Sequence, residues 1–192
     1  MALLLGDSLW TAHAGDCRAV LDREGDTCWS SRALAPSPDA LLPGGPFAAE
    51  IAQLTQDHLC SDPNEARRVL ACGGSMIAHR AETHSRVAAT CGDGGGLQVS
   101  RALGDAARYA GVTAEPEVSG PVRLSQRDAT LTLATDGVFD VLSNRQVAQT
   151  LRDTAPFADA GPKALLVKAL DAGATDNLGV IVVYLSLPGD DE

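Results

Sequence analysis

Aromatic side chains are scarce in this 192-residue chain, at 4%, while 45% of its residues are apolar. The core must therefore be built from Val, Leu, Ile and Ala rather than from stacked rings. A basic surplus is missing as well. Fifteen Lys and Arg stand against 25 Asp and Glu, a formal charge of −10, and without clustered cations there is no surface for nucleic-acid phosphates. The five cysteines (Cys17, Cys28, Cys60, Cys72, Cys91) are odd in number and include no C-x-x-C pair, so they read as reduced, ordinary thiols. The longest apolar run, Val180 to Leu185, is far too short to span a bilayer. The opening Met1-Ala-Leu-Leu-Leu5 lacks a basic flank and runs at once into Gly6-Asp7, unlike a signal peptide. The expectation is a soluble intracellular protein with no membrane and no nucleic-acid partner. There is no Gly-Lys-Ser/Thr for a nucleotide loop, and His79-Arg-Ala-Glu82-Thr-His84 does not have the spacing of a zinc-peptidase helix.

What is present reads as one domain of strands and a few helices. Apolar runs at Ala2–Leu5, Leu9–Ala14 and Arg18–Leu21, separated by Gly6-Asp7 and Gly15-Asp16, predict a β-meander. Ser31–Gly45, rich in Pro, Ala, Ser and Gly, is expected to be a loop or insertion, and Glu50–Leu54 a short strand. Asp62-Pro63-Asn64-Glu65 starts a helix that Gly73-Gly74 stops. Leu131–Thr135 reads as a strand ending at Asp136-Gly137, followed by Ser143-Asn-Arg-Gln146 as a capping box for the next helix. Pro162–Ala172 predicts another helix, with Leu166 and Leu170 on one face, and Leu178–Leu185 a strand covered on both faces. Pro188–Glu192 is a short acidic tail beyond a domain of residues 1–187.

Two carboxylates stand at strand edges, Asp136 after Leu131–Thr135 and Asp176 before Leu178–Leu185. Hard divalent cations need oxygen ligands held in fixed positions, which strand ends provide. Asp140 lies four residues after Asp136, so a single helical turn would bring both carboxylates to one side. Singly, such Asp-Gly and Asp-Asn pairs are commoner as turns than as ligands. Their order along the chain changes that weighting. Ala14-Gly-Asp-Cys-Arg-Ala-Val-Leu21, Leu54-Thr-Gln-Asp-His58 with Gly73-Gly74, Val99-Ser-Arg-Ala-Leu-Gly-Asp105, Ala134-Thr-Asp-Gly-Val-Phe-Asp-Val-Leu-Ser-Asn144 and Thr175-Asp-Asn177 follow one another as in the PPM (type 2C) protein phosphatases, which this chain resembles over nearly its whole length.

That resemblance implies an α+β fold, a four-layer α/β/β/α sandwich of two antiparallel sheets flanked by helices, with the N-terminal part of the domain missing. It implies hydrolysis of phosphoserine and phosphothreonine in a phosphorylated protein substrate by metal-activated water, with no catalytic Ser or Cys. Asp136, Gly137 and Asp176 would serve a two-metal Mg²⁺ or Mn²⁺ centre, Asp16 and Asp140 a weaker third metal, and Asn177 would support the site. Arg101 and Asp105 would be structural, tying a loop to the sheet. The family's upstream acidic pair, phosphate-gripping arginine and Asp-Gly-His-Gly-Gly motif are absent, and Asp93-Gly94-Gly95 only mimics part of the last. The expected turnover of these 192 residues is correspondingly low. The alternative is an inactive module that binds a phosphoprotein or another partner.

Overall fold

A computed structural model describes residues 1–23, 50–78, 85–91, 95–154 and 159–186. The expected insertion at Ser31–Gly45, the His79–His84 segment, Asp93-Gly94 and the acidic tail lie outside them. The chain divides into two compact units, the first comprising Met1–Thr11, Arg18–Thr55 and Val118–Glu192, the second Ala12–Cys17 and Gln56–Glu117.

The first unit is organised around a four-stranded antiparallel sheet in the order β10-β9-β3-β4, formed by Val180–Tyr184, Asp128–Ala134, Arg18–Arg23 and Ile51–Gln53. Alternation along β3 explains why this sheet is covered on both faces. Val20 points into a core with Val138, Leu142, Val147, Leu151 and Leu165, whereas Ala19 and Leu21 point the other way, toward Leu9, Leu124 and Leu131. The first face carries the helices α2 (Asp136–Phe139), α3 (Asn144–Thr154) and α4 (Ala160–Asp171). The second meets a three-stranded sheet, β1-β2-β8, of Ala2–Leu5, Ser8–His13 and Glu117–Arg123. Helices, sheet and sheet are thus stacked in the α+β manner expected, and each fully buried Leu adds roughly 1.5–3 kcal/mol.

Three local expectations are corrected. The first three strands are not one meander. β1 and β2 form a hairpin, but β3 crosses to the other sheet and pairs β4 and β9, because its alternate residues fill two different cores. Helix α4 buries Gly161, Leu165 and Ala169 rather than Leu166 and Leu170, and Leu170 is 60% exposed. Among the described residues, strand β10 is covered on its helix side only. Ile181 and Val183 face an apolar cleft of about 410 Å³ shared with Leu4, Leu9 and Leu133. The capping box before α3 forms as its spacing predicts, with the Gln146 N–H donating to Ser143 Oγ at 3.3 Å and the Ser143 N–H to Gln146 Oε1 at 2.9 Å.

The second unit is smaller. Helix α1 (Pro63–Ala71) starts at Asp62, whose side chain accepts from the Asn64 N–H, and ends before Gly73, whose φ of +82° suits only a residue without Cβ. It lies with a sheet of β5 (Met76–Ala78), β6 (Ser85–Ala88) and β7 (Gly96–Leu97) around Cys60, Val69, Val87 and Val112. Among the described residues no helix is long and apolar enough to cross a membrane.

Candidate functional site

Sheet register brings two of the expected ligands to one end of the first unit. Ala134 on β9 stands opposite Arg18 on β3 and Val180 on β10, so the chain leaving β9 and the chain entering β10 meet at the same edge. Thr135 joins them. Its hydroxyl donates to the Asn177 carbonyl and accepts from the Gly179 N–H, both at 3.0 Å, and its own N–H donates to the Gly179 carbonyl at 3.0 Å. Asp136 follows Thr135 and Asp176 precedes Asn177, so the two aspartates flank one hydrogen-bonded junction. Gly137 is required there for space. A Cβ at this position would lie 2.7 Å from the Asn177 carbonyl oxygen and 3.2 Å from Leu178, forcing the two turns apart.

Each aspartate is held by its own backbone. Asp136 Oδ1 accepts the Gly137 N–H at 2.9 Å and Asp176 Oδ1 the Asn177 N–H at 2.6 Å. Asp136 opens α2, and the Asp140 N–H donates to the Asp136 carbonyl at 2.7 Å, completing the single turn that the four-residue spacing predicts. The turn is braced from β3, where the Arg18 guanidinium lies 4.6 Å above the Phe139 ring and donates to Asn144 Oδ1 at 3.1 Å.

The other expected residues, Asp16, Arg101 and Asp105, fall in the second unit. Arg101 is committed to a carboxylate on α1, donating through Nη2 to Glu65 Oε1 at 2.6 Å and through Nε to Glu65 Oε2 at 3.1 Å. Glu65 also receives Arg68 at 2.8 Å and Ser100 Oγ at 2.5 Å. Burial alone would raise its pKa, but the hydrogen bonds from Arg101, Arg68 and Ser100 outweigh that and hold the carboxyl far below its ordinary value. Asp105 has a φ of +61° and its carbonyl accepts from the Arg108 and Tyr109 N–H groups, so it shapes the loop after Arg101.

Sequence reasoning missed Glu65 as a partner because its place after the N-cap reads as a capping-box acid. It also gave no role to Thr135 or His58, although both sit within quoted motifs. A further spacing, Cys17-x₅-Arg23, matches the phosphate loop of cysteine-dependent phosphatases, but Arg18–Arg23 is strand β3 and Arg23 is paired with Asp128 at 2.6 Å. No loop closes on a thiol there.

The carboxylate oxygens of Asp136 and Asp176 suit a hard divalent cation in kind. In number they do not complete a site. Among the described residues no three His, Cys, Asp or Glu side chains come together closely enough to hold a metal ion.

Against known proteins, a family model described as Protein phosphatase 2C matches residues 1–178. The chain is 35% identical over 184 residues to a protein kinase and PP2C-like domain-containing protein of Oryza sativa, covering 96% of this chain and 23% of that one. It is 30% identical to protein phosphatase 2C homolog 1 of Saccharomyces cerevisiae, covering 92% of this chain and 50% of the relative. Among solved structures, a serine-threonine phosphatase 2C from Toxoplasma gondii superimposes with a TM-score of 0.74 at 24% identity, over 95% of this chain and 56% of that one. The chain therefore spans between about a quarter and a half of the length of these curated relatives.

Proposed function

The chain belongs to the protein phosphatase 2C family, and from that premise we propose that it serves the metal-dependent hydrolysis of phosphoserine and phosphothreonine in proteins, with Asp136 and Asp176 as ligands for Mg²⁺ or Mn²⁺. The family is generally metal-dependent. The observation that supports the reading is the Thr135 junction, which ties the turn bearing Asp136 to the turn bearing Asp176, each carboxylate accepting the amide that follows it.

A bound cation would supply Lewis acidity, which would lower the pKa of coordinated water and offset charge on phosphoryl oxygens. This chain's part is to present oxygen atoms. Asp136 and Asp176 offer carboxylate oxygens, Gly137 lets their two turns approach, and Asn177 holds the Asp176 side through its backbone. Asp140, one turn from Asp136, and, in the second unit, Asp16 are each proposed as further metal ligands.

The test is Mn²⁺ binding, measured beside phosphate release from a phosphothreonine peptide, for the chain and for its Asp136→Asn and Asp176→Asn variants. Each substitution is expected to weaken Mn²⁺ binding by about tenfold or more and to abolish whatever Mn²⁺-dependent turnover the parent chain shows. Mn²⁺ affinity unchanged in both variants would overturn the assignment.

A further inference from the structure

Strand β10 is an outer strand of its sheet, and its backbone edge is bare. The Leu185 N–H donates to the Ala129 carbonyl at 2.9 Å and the Thr135 N–H to the Gly179 carbonyl at 3.0 Å, so the odd-numbered residues exchange hydrogen bonds with β9. The N–H and C=O groups of Val180, Val182 and Tyr184 therefore point outward, and among the described residues no strand pairs with them. Proteins commonly blunt such an edge with proline, lysine or a bulge. Strand β8, an outer strand of the three-stranded sheet, carries Pro121 and Arg123, whereas Leu178 to Ser186 contains no proline and no charge.

Apolar surface lies on both sides of that edge. On the cleft side Ile181 is 63% and Val183 38% exposed, and they line the cleft with Met1, Leu4 and Leu133. On the helix side α4 shares a core with Val180 and Val182, while α3 reaches the opposite end of the sheet, where Asn144 donates to Gln53 of β4 at 2.9 Å. Lys168 Nζ donates to Thr150 Oγ1 at 2.8 Å, which fixes the flank of α4 that faces α3. At 3.6 residues per turn, Leu166 and Leu170 stand about 160° round the helix from Lys168, on the flank away from α3 and toward the β10 margin. The stripe that spacing marks as a buried face is thus left at this margin, with Leu170 60% exposed.

We propose that the β10 margin binds a second copy of the chain, through an antiparallel β10–β10 pair whose two-fold axis passes at Val182. A two-fold contact needs a patch that complements itself. With Val182 of one copy opposite Val182 of the other, Val180 faces Tyr184, and each outward N–H and C=O meets its counterpart. Ile181 falls opposite Val183 on the cleft side, and the two α4 helices approach through Leu166 and Leu170 on the other. The absence of charge along the strand removes the repulsion that two chains of net charge −10 would otherwise bring to the seam. The exposed parts of Met1, Leu4, Leu170, Ile181 and Val183 come to roughly 150–300 Å² per copy before the strand edge is added. A stable complex buries about 800 Å² per partner, so this dimer is weak and forms as concentration rises.

The experiment is sedimentation of the 192-residue chain over about 5–500 µM, a range that brackets a weak complex, beside amide exchange read residue by residue. The chain is expected to pass from monomer to dimer. Over the same range the Val180, Val182 and Tyr184 amides should gain about threefold or more protection, while those of Ile181 and Val183, already bonded to β9, hardly change. Ile181→Lys and Leu170→Lys, at exposed positions on the two sides of the margin, should each raise the dissociation constant by about tenfold or more. Val118→Lys, 65% exposed on β8, should leave it within about twofold. A chain that stays monomeric throughout overturns the proposal, as does association that survives both variants of the margin, falls equally in Val118→Lys, or grows beyond the dimer. Protection that rises without association shows another occupant on the edge and also overturns it. Should one lysine variant fail to fold, the other decides together with the exchange pattern of the parent, and protection rising as much at Ile181 and Val183 as at Val182 overturns the register.

Discussion

The two units are held together by different physics. In the first, two aliphatic cores sit on opposite faces of one sheet, and the ion pairs Arg152–Asp22 and Arg23–Asp128 lie beside them. In the second, the apolar cluster among the described residues is small, with Cys60, Val69, Val87 and Val112 buried and Met76, Leu97, Ala102 and Tyr109 packed against them. Its centre is polar instead. One buried carboxylate, Glu65, gathers Arg68, Arg101 and Ser100, and one buried imidazole, His58, gathers Gly15, Ser100 and Glu117. An aliphatic core tolerates small changes of shape and ignores pH. A charged centre is specific in direction and loses heavily when one member is removed, because its partners are left buried and unpaired.

The sharpest way to break this contrast is Glu65→Ala, which takes the carboxylate from both Arg68 and Arg101 and leaves them only backbone carbonyls. It should cost about 3–5 kcal/mol, read as loss of amide-exchange protection confined to the second unit. Equal loss in the helices of the first unit would show that the contrast is false. Leu165→Ala, at a fully buried position on α4, should destabilise the first unit by about 3 kcal/mol through the cavity it leaves, with little effect on α1 amides. Ser143→Ala removes the reciprocal cap of α3 and should cost about 1 kcal/mol, visible in the thermal midpoint and as fraying at Asn144–Gln146.

The smallest effect expected is that of mild acid. Burial first, then the neighbouring His13 and Arg101, lower the pKa of His58 below its ordinary 6.5, against the opposing pull of Glu117 and Glu65. The folded form thus resists the proton that the unfolded form accepts. The stability His58 contributes is complete above about pH 6.5 and is lost as pH falls from there through the lowered folded value. Glu65 obeys the same sign lower down. Its contribution is complete above its ordinary 4.5 and is lost only as pH falls toward its much lower folded value. Urea unfolding at pH 7 and pH 5.5 should therefore show a modest loss in the second unit, abolished in His58→Asn. A loss that persists in His58→Asn would assign the titration elsewhere.

Periodicity and turn chemistry were enough for the local elements. Ser143-x-x-Gln146 announces α3, Asp62-Pro63 announces α1, and the four-residue step from Asp136 to Asp140 announces the turn of α2, because caps and helical spacing act between residues a few positions apart. Errors arose where the outcome depended on a distant partner. Arg18–Leu21 reads as the third strand of a meander, yet it joins β9, more than a hundred residues on, since only there can Val20 and Leu21 each find a core. Leu166 and Leu170 read as one helix face by spacing, but α4 is rotated so that Gly161 meets Tyr184 and Leu165 is buried instead.

The same division runs through the candidate site. Family membership was legible in the order of motifs along the chain, because an ordered set of short patterns is a property of sequence alone. Tertiary structure alone decided that Thr135 ties the two aspartate turns together, that Arg101 is spent on Glu65, and that His58 holds the peptide before Asp16. Each of these is a hydrogen bond between residues 36 to 44 positions apart. Which donor meets which acceptor over such separations is set by sheet register and helix rotation, and these follow from the packing of the whole unit rather than from any one segment.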